Sequence, residues 1–172
     1  MRRAFAAVLL TAGIAAGAAF AVPSRHATSL GLLERGVLAD INAYRAANHL
    51  APLRLSVSLT SAARSHSLQM ERDGYFAHPS ADGTAFWKRI RRFYPEARFA
   101  YWSVGENLLW SSSAVDAQTA LEMWIASPEH RRNMLDPHWR EIGVSAVRSG
   151  DAPGVFHGLP VTIVTTDFGV RR

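Results

Sequence analysis

The chain has 172 residues, which is enough for one ordinary domain with a complete hydrophobic core. Hydrophobic residues make up 48% of it, so extended disorder is excluded for most of the chain. It contains no Cys, which excludes disulfides, thiol catalysis and thiolate zinc sites. The formal net charge of +5 is too small to favour nucleic acid as a partner.

The first residues have the pattern of a secretory signal peptide. Two arginines follow the first Met, an apolar run extends to Ala18, and Ala19-Phe20-Ala21 resembles a cleavage site. A membrane anchor is the alternative, but the uncharged stretch is barely long enough to span a bilayer and is rich in Ala and Gly. We therefore predict a signal peptide over 1–21, a linker over 22–29 and one secreted or periplasmic domain over 30–172.

Periodicity and capping signals predict five helices. The predicted helices cover 30–49, 56–73, 84–93, 113–126 and a short segment that follows Ser127. Apolar side chains recur at helical spacing in the first two. Thr84, Ser113 with Asp116 three residues on, and Ser127 are typical N-caps for the other three, and Pro128 suits a first helical position.

Strand signals cluster in the second half of the chain. Residues 99–110 are predicted to be irregular chain that enters a strand containing Glu106. Alternating side chains from Ile142 predict a second strand, a Gly/Pro loop is predicted over 149–158, and β-branched residues predict a last strand over 161–168. Because helices come first and strands late, the fold class is α+β, with helices covering a small antiparallel sheet.

His130 is a candidate functional residue at about the third position of the helix that Ser127 caps. The positive end of a helix disfavours a charged imidazole there. A neutral imidazole is the form that binds a metal or accepts a proton. The alternative is that His130 is a polar surface residue beside Arg131 and Arg132.

His78 and Glu106 are the other two candidates. His78 follows Tyr75-Phe76, which we expect to pack inward and anchor the loop, although it could instead only bond to the turn at Asp82-Gly83. Glu106 lies beside Leu108-Leu109-Trp110, where a carboxylate is costly to bury unless it is paired or hydrogen-bonded. It either accepts bonds from backbone donors or faces a cleft and orients the histidines.

The predicted third helix carries a basic face. Its sequence is Lys88-Arg89-Ile90-Arg91-Arg92, with Phe86, Trp87 and Phe93 interleaved. Such a face could contact anionic lipid or a cell-wall polymer. A solvated arginine face over a packed aromatic stripe is the alternative, and it is the one we favour.

These polar segments belong to a longer series of motifs in a fixed order. The series is Ile41-Asn42-Ala43-Tyr44-Arg45, Ala62-Ala63, His78 with Asp82-Gly83, Gly105-Glu106-Asn107, Trp124 with Ser127 to Met134, Ile142-Gly143-Val144 and Thr166-Asp167-Phe168-Gly169. It resembles the CAP superfamily (cysteine-rich secretory, antigen 5, pathogenesis-related 1) in its short bacterial SCP-like form. The resemblance implies a three-layer α–β–α sandwich with a central antiparallel sheet. It also implies an open cleft lined by two His and two acidic residues, where the two His hold a divalent metal in some members.

By this resemblance the two histidines are His78 and His130, and the first glutamate is Glu106. The second glutamate usually lies five residues before the tryptophan, and this chain has Thr119 there. The nearby acids are Asp116 and Glu122. Each lies three residues from that position, so either could approach the same face of a helix.

The sequence leaves three functions open. We favour a binding domain whose cleft, formed by His78, Glu106 and His130, holds an envelope or extracellular lipid, glycan or peptide. Zinc or another divalent metal on His78 and His130 is optional. The expected partners are cell-envelope lipid, glycan or protein, without nucleic acid and without a stable membrane anchor once the signal peptide is cleaved.

The second function is a metal-assisted hydrolase or protease that uses Glu106 as general base. Thr119 and the shortage of metal ligands disfavour it, because catalytic zinc usually takes three protein ligands. The third is an envelope structural or interaction protein whose cleft has no role.

Overall fold

A four-stranded sheet and five α-helices make up the part of the chain that the computed structural model describes, residues 30–112 and 114–172. The predicted signal peptide and linker lie outside these residues. The helices are α1 (Leu32–Ala47), α2 (Val57–Asp73), α3 (Phe86–Phe93), α4 (Ala117–Ala126) and α5 (Pro128–Met134). The strands are β1 (Arg54–Leu55), β2 (Trp102–Ser111), β3 (Glu141–Ala152) and β4 (Leu159–Arg171). Each described helix is too short or too polar to cross a membrane.

The strands lie in the order β1-β3-β4-β2. β4 is antiparallel to both of its neighbours, and β2 forms one edge of the sheet. β1 instead pairs in parallel with β3, at Arg54 with Glu141 and Leu55 with Ile142. The sheet is therefore mixed rather than wholly antiparallel as predicted. A parallel pair needs a long crossover, and the chain from α2 to α5 provides it.

Alternating side chains of β3 and β4 point to the two helical layers. On one face, Ile142 and Phe168 pack in a core with Ile41 of α1 and Trp124 of α4. On the other face, Thr165 accepts a hydrogen bond from Ser67 of α2 at 2.9 Å. The predicted α+β class and its three α–β–α layers are confirmed.

Two predicted helix starts are wrong because a different side chain provides the turn. The backbone N–H of Thr84 bonds to Asp82, and α3 begins only at Phe86, after an N-cap without a side-chain bond. α4 begins at Ala117, because Asp116 accepts the backbone N–H three residues on at 2.8 Å. Ser113, the predicted cap, lies outside the described residues.

The predicted start of α5 is confirmed, with Ser127 at the N-cap and Pro128 at the first position, and Ser127 also ends α4. Within the described chain, however, the Ser127 hydroxyl makes no capping hydrogen bond. One further boundary differs from that predicted. β3 continues to Ala152, so the predicted loop over 149–158 is shorter and contains a 3-10 turn at Gly154–Phe156.

A fully buried arginine fixes α5 against α1. Arg45 of α1 donates to the carbonyl oxygens of Met134 at 2.7 Å and Asp136 at 3.0 Å. Its Nε donates to the carbonyl of Ala51 at 3.1 Å. The cation therefore lies at the negative end of the α5 dipole, where it is favourable. This contact sets the position of the helix that carries His130.

Candidate functional site

An open cleft of about 340 Å³ lies along the edge strand β2. Glu106 and its two neighbours in β2 line it, the loop between α2 and α3 contributes His78, and α5 contributes His130. The structure thus brings the three residues singled out in the sequence to one place, although they come from three separate elements.

A larger cavity, of about 510 Å³, lies at the C-terminal end of α5. His138 lines it, but this imidazole is already bonded to Asp136 at 2.8 Å. We place the candidate site in the smaller cleft, because there the polar groups converge from different elements and one histidine is held by a buried carboxylate.

The carboxylate of Glu106 is the centre of the site. Its side chain is fully buried, which would be costly for an unpaired charge. Oε1 accepts a hydrogen bond from Nδ1 of His78 at 2.9 Å, and Oε2 forms an ion pair with the guanidinium of Arg89. Each oxygen therefore has its own partner, and the buried charge is compensated.

His78 is held by this carboxylate but stays accessible. Its side chain is 48% exposed, and its ring centroid lies 6.2 Å from that of Phe86. With the Nδ1 proton directed at Glu106, the neutral ring keeps a lone pair on Nε2. A carboxylate that orients an imidazole in this way also makes it a better ligand.

Two buried side chains on the helices hold the loop that carries His78. Nη1 of Arg89, on α3, donates to the carbonyl oxygen of His78 at 2.9 Å. Nε2 of His66, on α2, donates to the carbonyl oxygen of Ala77 at 2.9 Å. The loop is thus fixed from two sides, which keeps His78 in place for a ligand.

Neither residue stands out as functional in the sequence. The basic run of α3 predicts a solvated face for Arg89, yet it is 3% exposed. Its position three residues after Phe86 and one before the buried Ile90 puts it on the inward stripe of α3, and that spacing was a signal. His66 has no functional signal in the sequence, because it lies among ordinary helix residues.

His66 is neutral in the folded protein. Burial lowers the pKa of His66 to about 4, and the nearby Glu106 charge only partly opposes this effect. Its Nε2 lies 4.0 Å from Oε2 of Glu106, too far for a hydrogen bond. The proton on Nε2 instead goes to Ala77, so His66 supports the loop without adding charge to the site.

Asp167 is a second buried carboxyl beside Glu106. It lies opposite Glu106 in the pairing of β2 with β4. Among the described residues, no donor bonds to either of its oxygens. Burial first, then the Glu106 charge, raises the pKa of Asp167 well above its usual range, and a hydrogen bond between the two carboxyls acts in the same direction. Burial beside Glu106 therefore favours the protonated form of Asp167, and the charge of Arg89 opposes this. In the sequence Asp167 appears only within the motif Thr166-Asp167-Phe168-Gly169, which does not reveal that it lies beside Glu106.

The α5 side of the cleft is fixed by asparagines. Nδ2 of Asn107 donates to the carbonyl oxygen of His130 at 3.1 Å, and Nδ2 of Asn133 donates to Oδ1 of Asn107 at 2.8 Å. A Cβ at Gly105 would lie 2.6 Å from Asn133, so Gly lets α5 approach β2 closely. Burial, then the neighbouring His78, lowers the pKa of His130, which favours the neutral imidazole.

A second acidic residue lines the cleft, but it is none of the three positions considered in the sequence. Thr119 is exposed on α4, Asp116 caps that helix, and Glu122 accepts a bond from Gln118 at 2.9 Å. None of the three is among the described residues that line the cleft. Glu129, in the first turn of α5, does line it. The sequence feature that could have identified Glu129 is its position directly before the candidate residue His130.

Two solved structures with the same fold come from bacteria. The chain is similar to an outer surface protein from Borrelia burgdorferi, with 18% identity and a TM-score of 0.66 over 80% of this chain and 92% of that one. It is also similar to an extracellular protein containing a SCP domain from Bacillus anthracis, with 24% identity and a TM-score of 0.61 over 81% and 40% of the two chains. These likenesses establish the fold.

Two curated relatives come from Bacillus subtilis. "Uncharacterized protein YkwD" is 29% identical over 123 residues, which cover 72% of this chain and 46% of that protein. "Uncharacterized membrane protein YlbC" is 28% identical over 115 residues, which cover 67% and 32%. The chain thus spans less than half the length of either relative.

A family model accounts for most of the domain. The model of the Cysteine-rich secretory protein family, CAP, matches residues 38–167. That range contains His78, Glu106 and His130, and all of the strands except the last residues of β4. The match and the three-layer fold agree with the motif series found in the sequence. The chain therefore belongs to the CAP family, although it contains no Cys.

Proposed function

We propose that this CAP protein is exported and that its cleft binds a lipid, glycan or peptide of the cell envelope or its surroundings. The signal-peptide pattern over 1–21 supports export. Two structural neighbours are described as an outer surface protein and an extracellular protein, which agrees with that location.

The observation that carries the proposal is the anchoring of His78 by Glu106. A half-exposed imidazole is held at 2.9 Å by a fully buried carboxylate, so its orientation is fixed before any ligand arrives. Fixed polar groups lose little entropy on binding. With His130, Glu129 and Asn133 on the opposite wall, the cleft offers donors and acceptors to a polar head group, a sugar or a peptide.

The geometry supports binding over hydrolysis. As a general base, Glu106 would have to lie within hydrogen-bond reach of a water molecule. Its side chain is fully buried, one oxygen is bonded to His78, and the other is paired with Arg89. This carboxylate is arranged to orient an imidazole rather than to take a proton from water.

A divalent metal such as zinc would have Nε2 of His78 and the imidazole of His130 as its protein ligands. Glu106 would act on such an ion only through His78. In the described part of the chain, no group of three His, Cys, Asp or Glu could hold a metal ion. Catalytic zinc commonly takes three protein ligands, so the cleft fits an exchangeable ion better than a resident catalytic one. Metal therefore stays optional in the proposed function.

Ligand capture by a cleft variant tests the proposal. The exported protein is immobilised and incubated with separated lipid, glycan and peptide fractions of a bacterial envelope, and mass spectrometry identifies what is retained. We expect His78→Asn combined with His130→Asn to reduce capture about tenfold or more, because the shorter amides cannot place a hydrogen-bonding atom where each imidazole Nε2 lies. If capture is unchanged after a chelator removes divalent metal, the ligand binds without metal.

The matched control is His49→Asn with His157→Asn. Both histidines are exposed and have positive φ angles of 59° and 56°, which Asn tolerates. This control should capture as much as the wild type. Equal capture by the cleft variant would contradict the proposal and favour a structural protein whose cleft has no role.

A further inference from the structure

Exposed aromatic rings lie beside α3 and the end of β4. Trp87, Phe99 and Tyr101 are 39%, 41% and 40% exposed. The sequence favoured a packed aromatic stripe on α3, and this is wrong for Trp87 and for Phe93, which is 36% exposed. Ile90, one of the buried residues of α3, packs with Tyr94 instead. Exposed rings that lie together, unlike scattered ones, indicate an interaction site.

Trp87, Phe99 and Tyr101 each have a cationic side chain over the ring. The guanidinium of Arg91 lies 5.6 Å from the Trp87 ring, and that of Arg172 lies 5.0 Å from the Tyr101 ring. The guanidinium of Arg171 lies 5.1 Å from the Phe99 ring and 4.0 Å from the ring of the buried Tyr94. We name these side chains the aromatic–arginine patch. Its members are Trp87, Arg91, Phe99, Tyr101, Arg171 and Arg172.

Contacts link the members of the patch around the end of the sheet, where Arg171 faces α3 and Tyr101 with Arg172 lie on the opposite face. Arg91 donates to Glu96 at 3.1 Å, and the backbone N–H of Phe99 donates to the Glu96 carbonyl at 3.1 Å. The backbones of Tyr101 and Arg172 exchange bonds of 2.8 and 3.0 Å. Contacts therefore lead from α3 through the following loop to the end of β4.

The patch and its surroundings are positively charged. Its three arginines are joined by Lys88, which lies 5.4 Å from the Trp87 ring, and by the exposed Arg98. The acids that face them are Glu96, bonded to Arg91, and Glu141, which lies 3.9 Å from Arg171. Cations thus outnumber anions on this surface.

We propose that the aromatic–arginine patch binds reversibly to a bilayer surface that contains anionic phospholipids. Arginines pair with lipid phosphates, and each basic residue near such a surface adds to the attraction. Trp, Tyr and Phe rings are favoured at the interface between head groups and acyl chains. A soluble polyanion would use the arginines alone and leave the exposed rings unexplained. This surface is separate from the cleft, so the inference goes beyond the proposed function.

Vesicle co-sedimentation tests this proposal. The exported protein is mixed with vesicles of phosphatidylcholine alone or with an equimolar amount of phosphatidylglycerol, at low and high salt. We expect binding only to the anionic vesicles and loss of binding at high salt. Arg91→Gln with Arg172→Gln should weaken binding about 25-fold, from about fivefold per arginine. Both arginines are exposed, so the fold should not depend on them.

Control variants separate the patch from general charge. Arg64→Gln with Arg148→Gln removes two exposed arginines elsewhere and should bind like the wild type. All variants have the same N-terminal residues. A difference in vesicle binding between them is therefore caused by the substituted arginines. An equal loss in both double variants, or no preference for anionic vesicles, would overturn the proposal.

Quenching by brominated lipid tests whether a ring enters the interface. Brominated phosphatidylglycerol should quench the tryptophan emission of the wild type and quench that of Trp87→Phe distinctly less. Unchanged quenching in Trp87→Phe would overturn the proposal. Binding to polyphosphate as tight as to vesicles, without quenching by the brominated lipid, would also overturn it and make a soluble polyanion the partner.

Discussion

Replacing Arg89 with Met should lower the free energy of unfolding by about 3–5 kcal/mol at neutral pH. Arg89 is 3% exposed and is the cation paired with the buried Glu106. Its removal leaves a buried carboxylate without a counter-ion next to a second carboxyl, Asp167, and frees the carbonyl of His78. Denaturant unfolding followed by circular dichroism measures the loss.

The matched control for Arg89→Met is Arg91→Met, on the exposed side of the same helix. Its ion pair with Glu96 is at the surface, so we expect a cost within about 1 kcal/mol. Glu106→Gln added to Arg89→Met should recover part of the loss, because it removes the charge left unpaired. Equal costs for the two arginines would show that the buried ion pair does not stabilise the fold.

The unfolding free energy should fall more steeply between pH 6.5 and pH 4 in the wild type than in a His66→Gln variant. The folded pKa of His66 is about 4, against 6.5 for the free side chain. Across this window the unfolded state therefore binds a proton that the folded state does not bind, so stability falls as the pH falls. Between pH 6.5 and pH 4, the wild type should lose about 3 kcal/mol more unfolding free energy than His66→Gln.

Unfolding curves at a series of pH values check this expectation. Gln can still donate to the Ala77 carbonyl but does not titrate, so the comparison isolates the imidazole proton. His157→Asn, at an exposed position, serves as the control and should keep the wild-type slope. Parallel curves for wild type and His66→Gln would mean that His66 is not held neutral by burial.

The sequence predicted best what depends on local pattern. The apolar repeat of α1 and the N-cap Ser56 of α2 fix elements within two residues of their observed bounds. The parallel pairing of β1 could not be predicted, because a two-residue strand has too little pattern and its partner lies far along the chain. The start of α4 was misplaced because two residues offered competing caps.

The candidate site also contains residues that local pattern predicts and residues that only tertiary contacts reveal. Composition and spacing gave His78, Glu106 and His130 as unusual residues, but their convergence followed only from the resemblance to a family. The residues that hold them were missed because their roles arise from tertiary contacts. Arg89 belongs to a run of basic residues, and Asp167 appears only as part of a family motif, so neither has a visible role before the elements are packed.

The central claim is that Glu106 holds His78 by Nδ1 and leaves Nε2 available to a ligand. Nitrogen-15 NMR of the histidine side chains tests it most directly, at about two pH units above the ordinary imidazole pKa of about 6.5. The signal of His78 is assigned by its loss in His78→Gln. We predict a proton on Nδ1, none on Nε2, and loss of that preference in Glu106→Ala. A proton on Nε2 with a bare Nδ1 would contradict the account, since Glu106 would then have no donor in His78.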